Sequence, residues 1–288
     1  MLIFSMQTLY YSRPEVKITG SGVNLKINND NFVIQELDRI SNIMLTAKSG
    51  YISLYALKLM ALKRITLTLH NLSGQIIYHL IPEYPNQNLD NRIMQFEAYL
   101  KRKMQIANRI VETKKQKYSE LLKEYNLPGL TNDNENVFSN EYWAHIGKLF
   151  NEYGYDFYSR KGFYAMSNQK AVNIINSLLN FYYGLIEHRL LNDITYYGYD
   201  YNISFLHIPQ YNKLPLTYDL IEFLRPEIDK IVLRLAEERK IKKSDFELTD
   251  KGYYLLKEEK IGKYLKQIRT VENKTRETVE VFTNILKR

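Results

Sequence analysis

The chain has 288 residues, 25 of them tyrosine and none cysteine, and carries a formal charge of +8 at pH 7. Its length allows one large domain or two ordinary ones, and an apolar content of 45% excludes a disordered tail protein. The absence of cysteine excludes disulfides and thiolate metal sites and fits a reducing, cytoplasmic setting; the positive charge is compatible with a nucleic-acid partner without naming one.

The opening MLIFSMQTLYYSRPEVKI is apolar but lacks a basic leader and a small-residue cleavage site, so it is read as strand rather than signal peptide. VKITGSGVNLKIN and FVIQEL place apolar and β-branched residues between Gly and Asn turn signals, as strands do. ISLYALKLMAL predicts a short helix, and ITLTLHNLSGQIIYHLI a hairpin turning at NLSG. Pro82 and Pro85 then mark a linker. From Arg92 the period changes: Phe96, Leu100, Met104, Ala107, Val111, Tyr118 and Leu121 recur at helical spacing, which predicts one long helix to about Tyr125 with these residues on its packed face. Lys114 falls on the same stripe, where a snorkelling stem at the edge of the packed face would suffice to explain it. Further helices are predicted over 134–152, 170–190, 216–239 and 270–287, with strand, turn and helix between the last two. The fold class expected is α+β: an N-terminal β-sheet domain over 1–85, a linker over 86–91, and a larger, predominantly α-helical domain over 92–288. No run of apolar residues reaches the roughly 20 needed to cross a bilayer, so no membrane association is expected. No glycine-rich phosphate loop and no HExxH pattern is present, which argues against an ATPase, a dinucleotide enzyme or a zincin.

The segment LPLTYDLIEFLRPEID carries Asp219 and Glu222 three positions apart in an apolar stretch, followed by Arg225. On a helix this spacing lets both carboxylates point roughly the same way; the ordinary alternative is that one faces solvent while the other pairs with Arg225. Pro226 either kinks this helix or begins the next. Of the five histidines (His70, His79, His145, His188 and His207), His207 lies a short connection upstream, in NISFLHIPQYNKLP. An imidazole beside two carboxylates offers the nitrogen and oxygen ligands of a divalent ion, although a solvated cluster has the same composition. A further anionic ligand would be needed, and spacing does not select it.

NENVFSNEYW, AVNIINSLLNFYYGLI, FLH and LTYDLIEFLRPEID, in this order and behind a β domain, resemble the CRISPR-associated integrase family, the metal-dependent enzymes that insert new spacers into a repeat array. NRIMQFEAY and SDFELTDKGYYLL extend the resemblance over nearly the whole chain. In that family a Glu begins a helix and an aromatic pair follows seven positions later; Glu135 with Tyr142 and Trp143 matches, whereas nearby Glu141 does not. The resemblance implies that Glu135, His207 and Glu222 hold Mg²⁺ or Mn²⁺, with Asp219 at the edge of the site and Arg225 either on the phosphate or bracing a metal carboxylate. Arg160, Asn176 and Tyr183 fall on family positions that support the site or contact DNA, and Gln95 and Lys114 match features of the long helix. The chain departs from the family pattern at Asn136, where Gly is common, at Asn173, where Asp is common, and at Leu224, where Phe is usual.

The chemistry implied is transesterification: a 3′-hydroxyl of incoming duplex attacks a phosphodiester at a repeat boundary, with endonuclease activity on linear or branched DNA if water replaces the hydroxyl. Arg160, Lys161, Lys251 and Lys260 are candidates for holding double-stranded DNA through its backbone. The family also implies a homodimer formed through the β domain, bridging in a larger complex with a dimer of a small ferredoxin-like partner. A mobile-element integrase of the same fold, a repair nuclease and a noncatalytic DNA-binding scaffold are the competing readings.

Overall fold

The computed structural model describes the chain apart from residues 1, 5–7, 12–14, 28–31, 35–36, 38–39, 48, 71–75, 83–88, 161–170 and 209–213. It divides into two compact units. The first comprises Met1–Gln87 with Ile261–Arg269, and the second Asn88–Lys260 with Thr270–Arg288.

Among the described residues the first unit holds two sheets and two helices, one of them very short. Strands β1 (Leu2–Phe4), β2 (Thr8–Tyr11), β3 (Glu15–Ser21), β4 (Asn24–Ile27), β5 (Phe32–Ile34), β6 (Asn42–Leu45) and β7 (Ser49–Ile52) precede α1 (Leu54–Leu62), and β8 (Thr66–His70) and β9 (Ile76–Leu80) follow it. One sheet runs in the order β1-β2-β6-β8-β9 and the other β5-β4-β3-β7. The pairs β2–β6, β6–β8 and β3–β7 are parallel and the rest antiparallel. The residue pattern explains the division of faces. Val16 and Ile18 on β3, and Leu25 and Ile27 on β4, alternate with more exposed neighbours and point into the core. By contrast β6, flanked on both sides by parallel partners, is buried at every position. One apolar cluster draws Leu9, Ile18, Leu25, Ile43, Leu67 and, from α1, Ala56 and Met60; burying each Leu or Ile contributes about 1.5–3 kcal/mol. At Gly50 the backbone takes φ +143, and a Cβ there would sit 1.8 Å from the Val16 carbonyl oxygen, so the parallel β3–β7 pairing requires glycine at that position. The expected short helix and the strand pair around NLSG are present as α1, β8 and β9; the turn itself lies outside the described residues. The element α7 (Ile261–Leu265) groups with this unit.

The second unit is built from α2 (Leu89–Glu124), α3 (Glu135–Glu152), α4 (Ile174–Tyr196), α5 (Pro215–Ile221), α6 (Arg225–Glu237) and α8 (Arg269–Lys287), with the short hairpin β10 (Phe246–Leu248) and β11 (Tyr254–Leu256). Helix α4 is apolar nearly all round and buried along its length, with α5, α6 and β11 packed on it. The α+β class expected from the sequence therefore holds.

Two expectations need correction. The sequence stripe put Phe96, Leu100 and Met104 on the packed face of α2, yet all three stand exposed, at 47, 79 and 71%. The buried face is Asn91, Gln95, Ala98, Ile106, Ala107, Ile110, Lys114, Tyr118 and Leu121. The reason is a polar anchor and a kink. The fully buried Gln95 amide donates to the carbonyls of Asp200 and Ile203 and accepts from the Asp200 amide, and Arg102 leaves helical geometry, rotating one half of the helix against the other. The helix predicted over 216–239 is two helices. Pro226 lacks the amide that a continuous helix would need, and it begins α6 instead, leaving Glu222 as the C-cap of α5.

Candidate functional site

Four elements of the helical unit bring charged side chains to one place. Asn134 caps α3 by accepting from the Asn136 amide at 3.1 Å, which sets Glu135 as the first helical residue, where a carboxylate favours the helix dipole. Asn136 thus serves the cap through its backbone. Glu135 Oε1 lies 2.7 Å from Lys114 Nζ, and the same ammonium lies 2.9 Å from Glu222 Oε2. Lys114 is 5% exposed and Glu222 1%, so the lysine is no snorkelling edge residue: it is a buried cation shared by two carboxylates from different helices. Its stem runs beside the rings of Tyr118 and Phe138, with the ammonium 5.7 and 6.0 Å from their centres. Glu222 Oε1 accepts from Arg225 at 2.8 Å, so Arg225 braces the carboxylate. Burial alone would raise the Glu222 carboxyl, but Arg225 and Lys114, with His207 adding to them, outweigh it and hold the group below its usual range. Its Oε2 is buried, with the Lys114 ammonium 2.9 Å away but not in well-aligned hydrogen-bond geometry.

Asp219 does not face solvent. It is fully buried, and its two oxygens accept from three successive amides: Phe205 at 2.6 Å and Leu206 at 3.1 Å on Oδ2, and His207 at 2.9 Å on Oδ1. Oδ1 also meets His207 Nδ1 at 2.8 Å. One carboxylate thereby fixes both the turn and the ring, leaving Nε2 as the histidine's available ligand atom. Ser204 Oγ donates to the His207 carbonyl and closes the turn.

Next to this group lies a third buried carboxylate, after Glu222 and Asp219. Asp229, one helical turn beyond Arg225, accepts from Tyr142 at 2.7 Å and from Tyr183. Burial pushes its carboxyl up to about 6 despite those two hydrogen bonds. Tyr142 stacks on Tyr118 with ring centres 3.8 Å apart. The guanidinium carbons of Arg225 and Arg160 sit 5.3 and 5.1 Å from the centre of the Tyr183 ring. Arg160 donates to Asn176 at 3.1 Å and to Asn180 at 2.7 Å, and Asn173 caps α4 by accepting from the Asn176 amide at 2.8 Å. The asparagine found where the family often has Asp thus retains an N-cap bond. Glu187 on α4 completes the surroundings; burial pushes its carboxyl up to about 7, with Arg225 opposing, Glu222 adding and His207 opposing.

Of the residues singled out from the sequence, Glu135, Glu222, Arg225, His207, Asp219, Arg160, Asn176 and Tyr183 all belong to this connected set. Lys251 stands exposed on the β10–β11 turn, and Lys260 lies half-buried on the short turn after it; neither enters the described contacts of the set. Lys161 lies outside the described residues. Glu141 points elsewhere, bonded to the amide and hydroxyl of Thr131. Asp229 and Glu187 are not among the residues that the sequence singles out. Each carries a signal all the same: Asp229 lies four positions after Arg225, and Glu187 is a lone acid in the apolar run NFYYGLIEHRLL, four positions after Tyr183.

Among the described residues no group of three or more His, Asp or Glu side chains is drawn together as a ready metal cage. The cause is visible: the ammonium of Lys114 stands between Glu135 and Glu222, and the His207 ring is tied to Asp219. The donor set nonetheless suits a hard divalent ion, with two carboxylates converging on one cationic position, one buried oxygen short of a hydrogen bond, and an imidazole oriented by a carboxylate.

Fold and site together define a two-unit α+β protein whose helical unit brings two carboxylates onto one buried cation and holds an imidazole on a further carboxylate. The chain belongs to the family described as CRISPR associated protein Cas1, whose model matches residues 9–137 and 131–270. A curated relative, CRISPR-associated endonuclease Cas1 1 of Archaeoglobus fulgidus, is 32% identical over 114 residues, 39% of this chain and 33% of that protein; the aligned stretch spans a third of the relative's length. A CAS1 protein from Thermotoga maritima superposes with a TM-score of 0.82 at 18% identity, over 98% of this chain and 97% of that one. A casposase bound to integration product superposes with a TM-score of 0.75 at 22% identity, over 93% of this chain and 82% of that one. These two likenesses are of fold. No helix among the described residues is long and apolar enough to cross a membrane.

Proposed function

We propose that the protein is a metal-dependent DNA integrase that joins the 3′-hydroxyl ends of new spacer DNA to a CRISPR repeat by transesterification, and that it cleaves linear or branched DNA when water takes the place of the hydroxyl. The observation that carries this reading is the convergence of Glu135 and Glu222, from separate helices, on one cationic position. Family membership supports it.

Glu135, Glu222 and His207 are the residues that would hold Mg²⁺ or Mn²⁺, His207 through Nε2. The ion, when bound, polarises the phosphodiester and stabilises charge developing on its oxygens. The chain's own residues do the rest. Asp219 holds the imidazole in one orientation and the 205–207 turn in one shape. Arg225 fixes one oxygen of Glu222, so the other would be the one to hold the ion, and its guanidinium keeps a permanent positive charge within the site. The tyrosines are braces: Tyr142 and Tyr183 are committed to Asp229, and transesterification needs no protein nucleophile. DNA is held through its phosphates by basic side chains of the helical unit, Lys251 and Lys260 among the candidates. The first unit exposes Leu54, Leu62 and Ile77 at 84, 69 and 65%, apolar surface that suits a homodimer. A dimer of a small ferredoxin-like partner would complete the assembly, as the family resemblance implies.

The test is joining of a fluorescent 3′-hydroxyl duplex to a supercoiled repeat plasmid, with Mg²⁺ or Mn²⁺ and the small partner, using wild type and Glu222→Ala. Metal-dependent product from wild type alone, with junctions at the repeat boundaries, is expected. Junctions scattered over the plasmid would favour a mobile-element integrase. Cleavage of branched DNA without joining would favour a repair nuclease, and DNA binding without either reaction would favour a scaffold.

A further inference from the structure

Lys114 has no part in the chemistry just described, yet it occupies the centre of the site. The ammonium is buried, 2.7 Å from an oxygen of Glu135 and 2.9 Å from an oxygen of Glu222, and its stem is flanked by Tyr118 and Phe138. A divalent ion bound by those same two oxygens would sit about 2.0–2.2 Å from each, which is the space the ammonium fills. The two cations exclude one another by volume and by charge. Without either, the buried Glu222 carboxylate would face that of Glu135 with no cation between them, a like-charge arrangement that is unfavourable. Arg225 does not remove the conflict, because it is spent on the other oxygen of Glu222.

We propose that Lys114 is a built-in stand-in for the metal: it holds Glu135 and Glu222 together in the ion-free protein and must leave their shared position when the ion enters. The inference rests on the metal-site reading above. Its consequence is opposite to that of an ordinary supporting residue. A residue that merely braces the ligands raises metal affinity, and losing it weakens binding; a competitor lowers affinity, and losing it strengthens binding. Replacing the ammonium by an uncharged chain of similar length leaves the carboxylates facing each other with only the ion to separate them. The ion-bound form then gains on the ion-free form twice, through lost competition and through strain in the empty pair.

The experiment is titration of wild type, Lys114→Met and Lys114→Gln with Mn²⁺ alone, reading free Mn²⁺ by electron paramagnetic resonance and, in parallel, the rise in Tm that saturating Mn²⁺ produces. Both variants are expected to bind Mn²⁺ about tenfold or more tightly than wild type, within the usual range of coupling between two competing ligands, and to show the larger Mn²⁺-dependent rise in Tm. A variant unfolded in chelator that folds when Mn²⁺ is added supports the proposal equally, since the ion has taken over the role of the ammonium. Unchanged or weaker Mn²⁺ binding in both variants, or a chain that stays unfolded at saturating Mn²⁺, overturns the proposal. Glu222→Gln separates this from failure of the metal site itself: if that variant binds Mn²⁺ as wild type does, the site reading is wrong. If binding is lost in Glu222→Gln yet unimproved in the Lys114 variants, only the stand-in role falls.

Discussion

Lys114 Nζ and Glu222 Oε2 meet at 2.9 Å inside the helical unit, both side chains almost wholly withdrawn from water. Arg225 holds the other Glu222 oxygen, so a single carboxylate neutralises two cations. Replacing it by an amide leaves Arg225 without its carboxylate and Lys114 with Glu135 alone. In chelator, Glu222→Gln is expected to cost about 3–5 kcal/mol, the usual consequence of breaking a buried pair, read as a lower urea midpoint. Glu135→Gln should cost clearly less, because its side chain is one-third exposed, at 33%, and water can replace what the ammonium loses. Equal losses in the two variants would contradict this ranking.

Asp219 makes a second prediction of a different kind. Its four contacts all come from donors, so Asp219→Asn turns an amide NH₂ against at least one of them. Both stability and metal binding should suffer, the latter by about 10–100-fold, as when other residues orienting a ligand histidine are removed. His207→Ala, by contrast, should weaken Mn²⁺ binding to a similar degree while leaving the Tm near that of wild type, since the amide contacts of the turn remain. Calorimetric titration alongside thermal melts of both variants tests the split.

The half-buried Glu187 makes stability depend on pH in a stated direction. Its carboxyl is pushed up to about 7 from the ordinary 4.5, first by burial. The folded chain therefore holds this proton through a window in which the unfolded chain has lost it, and stability falls as pH rises from about 4.5 to about 7. Glu187→Gln removes that loss. In chelator it should melt with wild type at pH 4.5 and above it at pH 8, by on the order of 1 kcal/mol, or about 2–4 °C in a chain this size. Asp229, pushed up to about 6, acts with the same sign and keeps part of the slope in the variant. A Glu187→Gln Tm that tracks wild type across the whole range would refute the assignment.

The two tyrosines on Asp229 restrain that second effect, since both hydrogen bonds favour the charged carboxylate. Tyr142→Phe or Tyr183→Phe should each cost about 1.5–3 kcal/mol at pH 8, as hydrogen bonds to a charged group do, and less at pH 5, where Asp229 keeps its proton. Chemical denaturation at the two pH values measures the difference.

How much of the molecule is legible in its sequence varies by element for physical reasons. The strands of the first unit announce themselves through alternation, as Val16 and Ile18 do, and α4 through an unbroken apolar run. Asp219, Glu222 and His207 stand out because they lie close together in the sequence, whereas Glu135 is reached only through the family resemblance, since spacing does not select a distant ligand. The packed face of α2 does not, because apolar periodicity names the oily face and not the buried one. Gln95 wins its place inside through three hydrogen bonds to the 200–203 segment, a pairing across more than a hundred positions that no window shows. Pro226 foreshadows the division of α5 from α6 at Glu222, although proline alone does not distinguish a kink from a new start. The burial of Lys114 is invisible for the same reason as that of Gln95: its two partners are brought to it by other helices.

Whether Glu135, His207 and Glu222 share one divalent ion is answered most directly by anomalous diffraction at the manganese edge, from crystals grown with Mn²⁺. A single strong peak is predicted between Glu135 and Glu222, within bonding distance of His207 Nε2, with the Lys114 ammonium displaced from its bridging position. No peak there, with Lys114 still joining the two carboxylates at saturating Mn²⁺, would contradict the shared site.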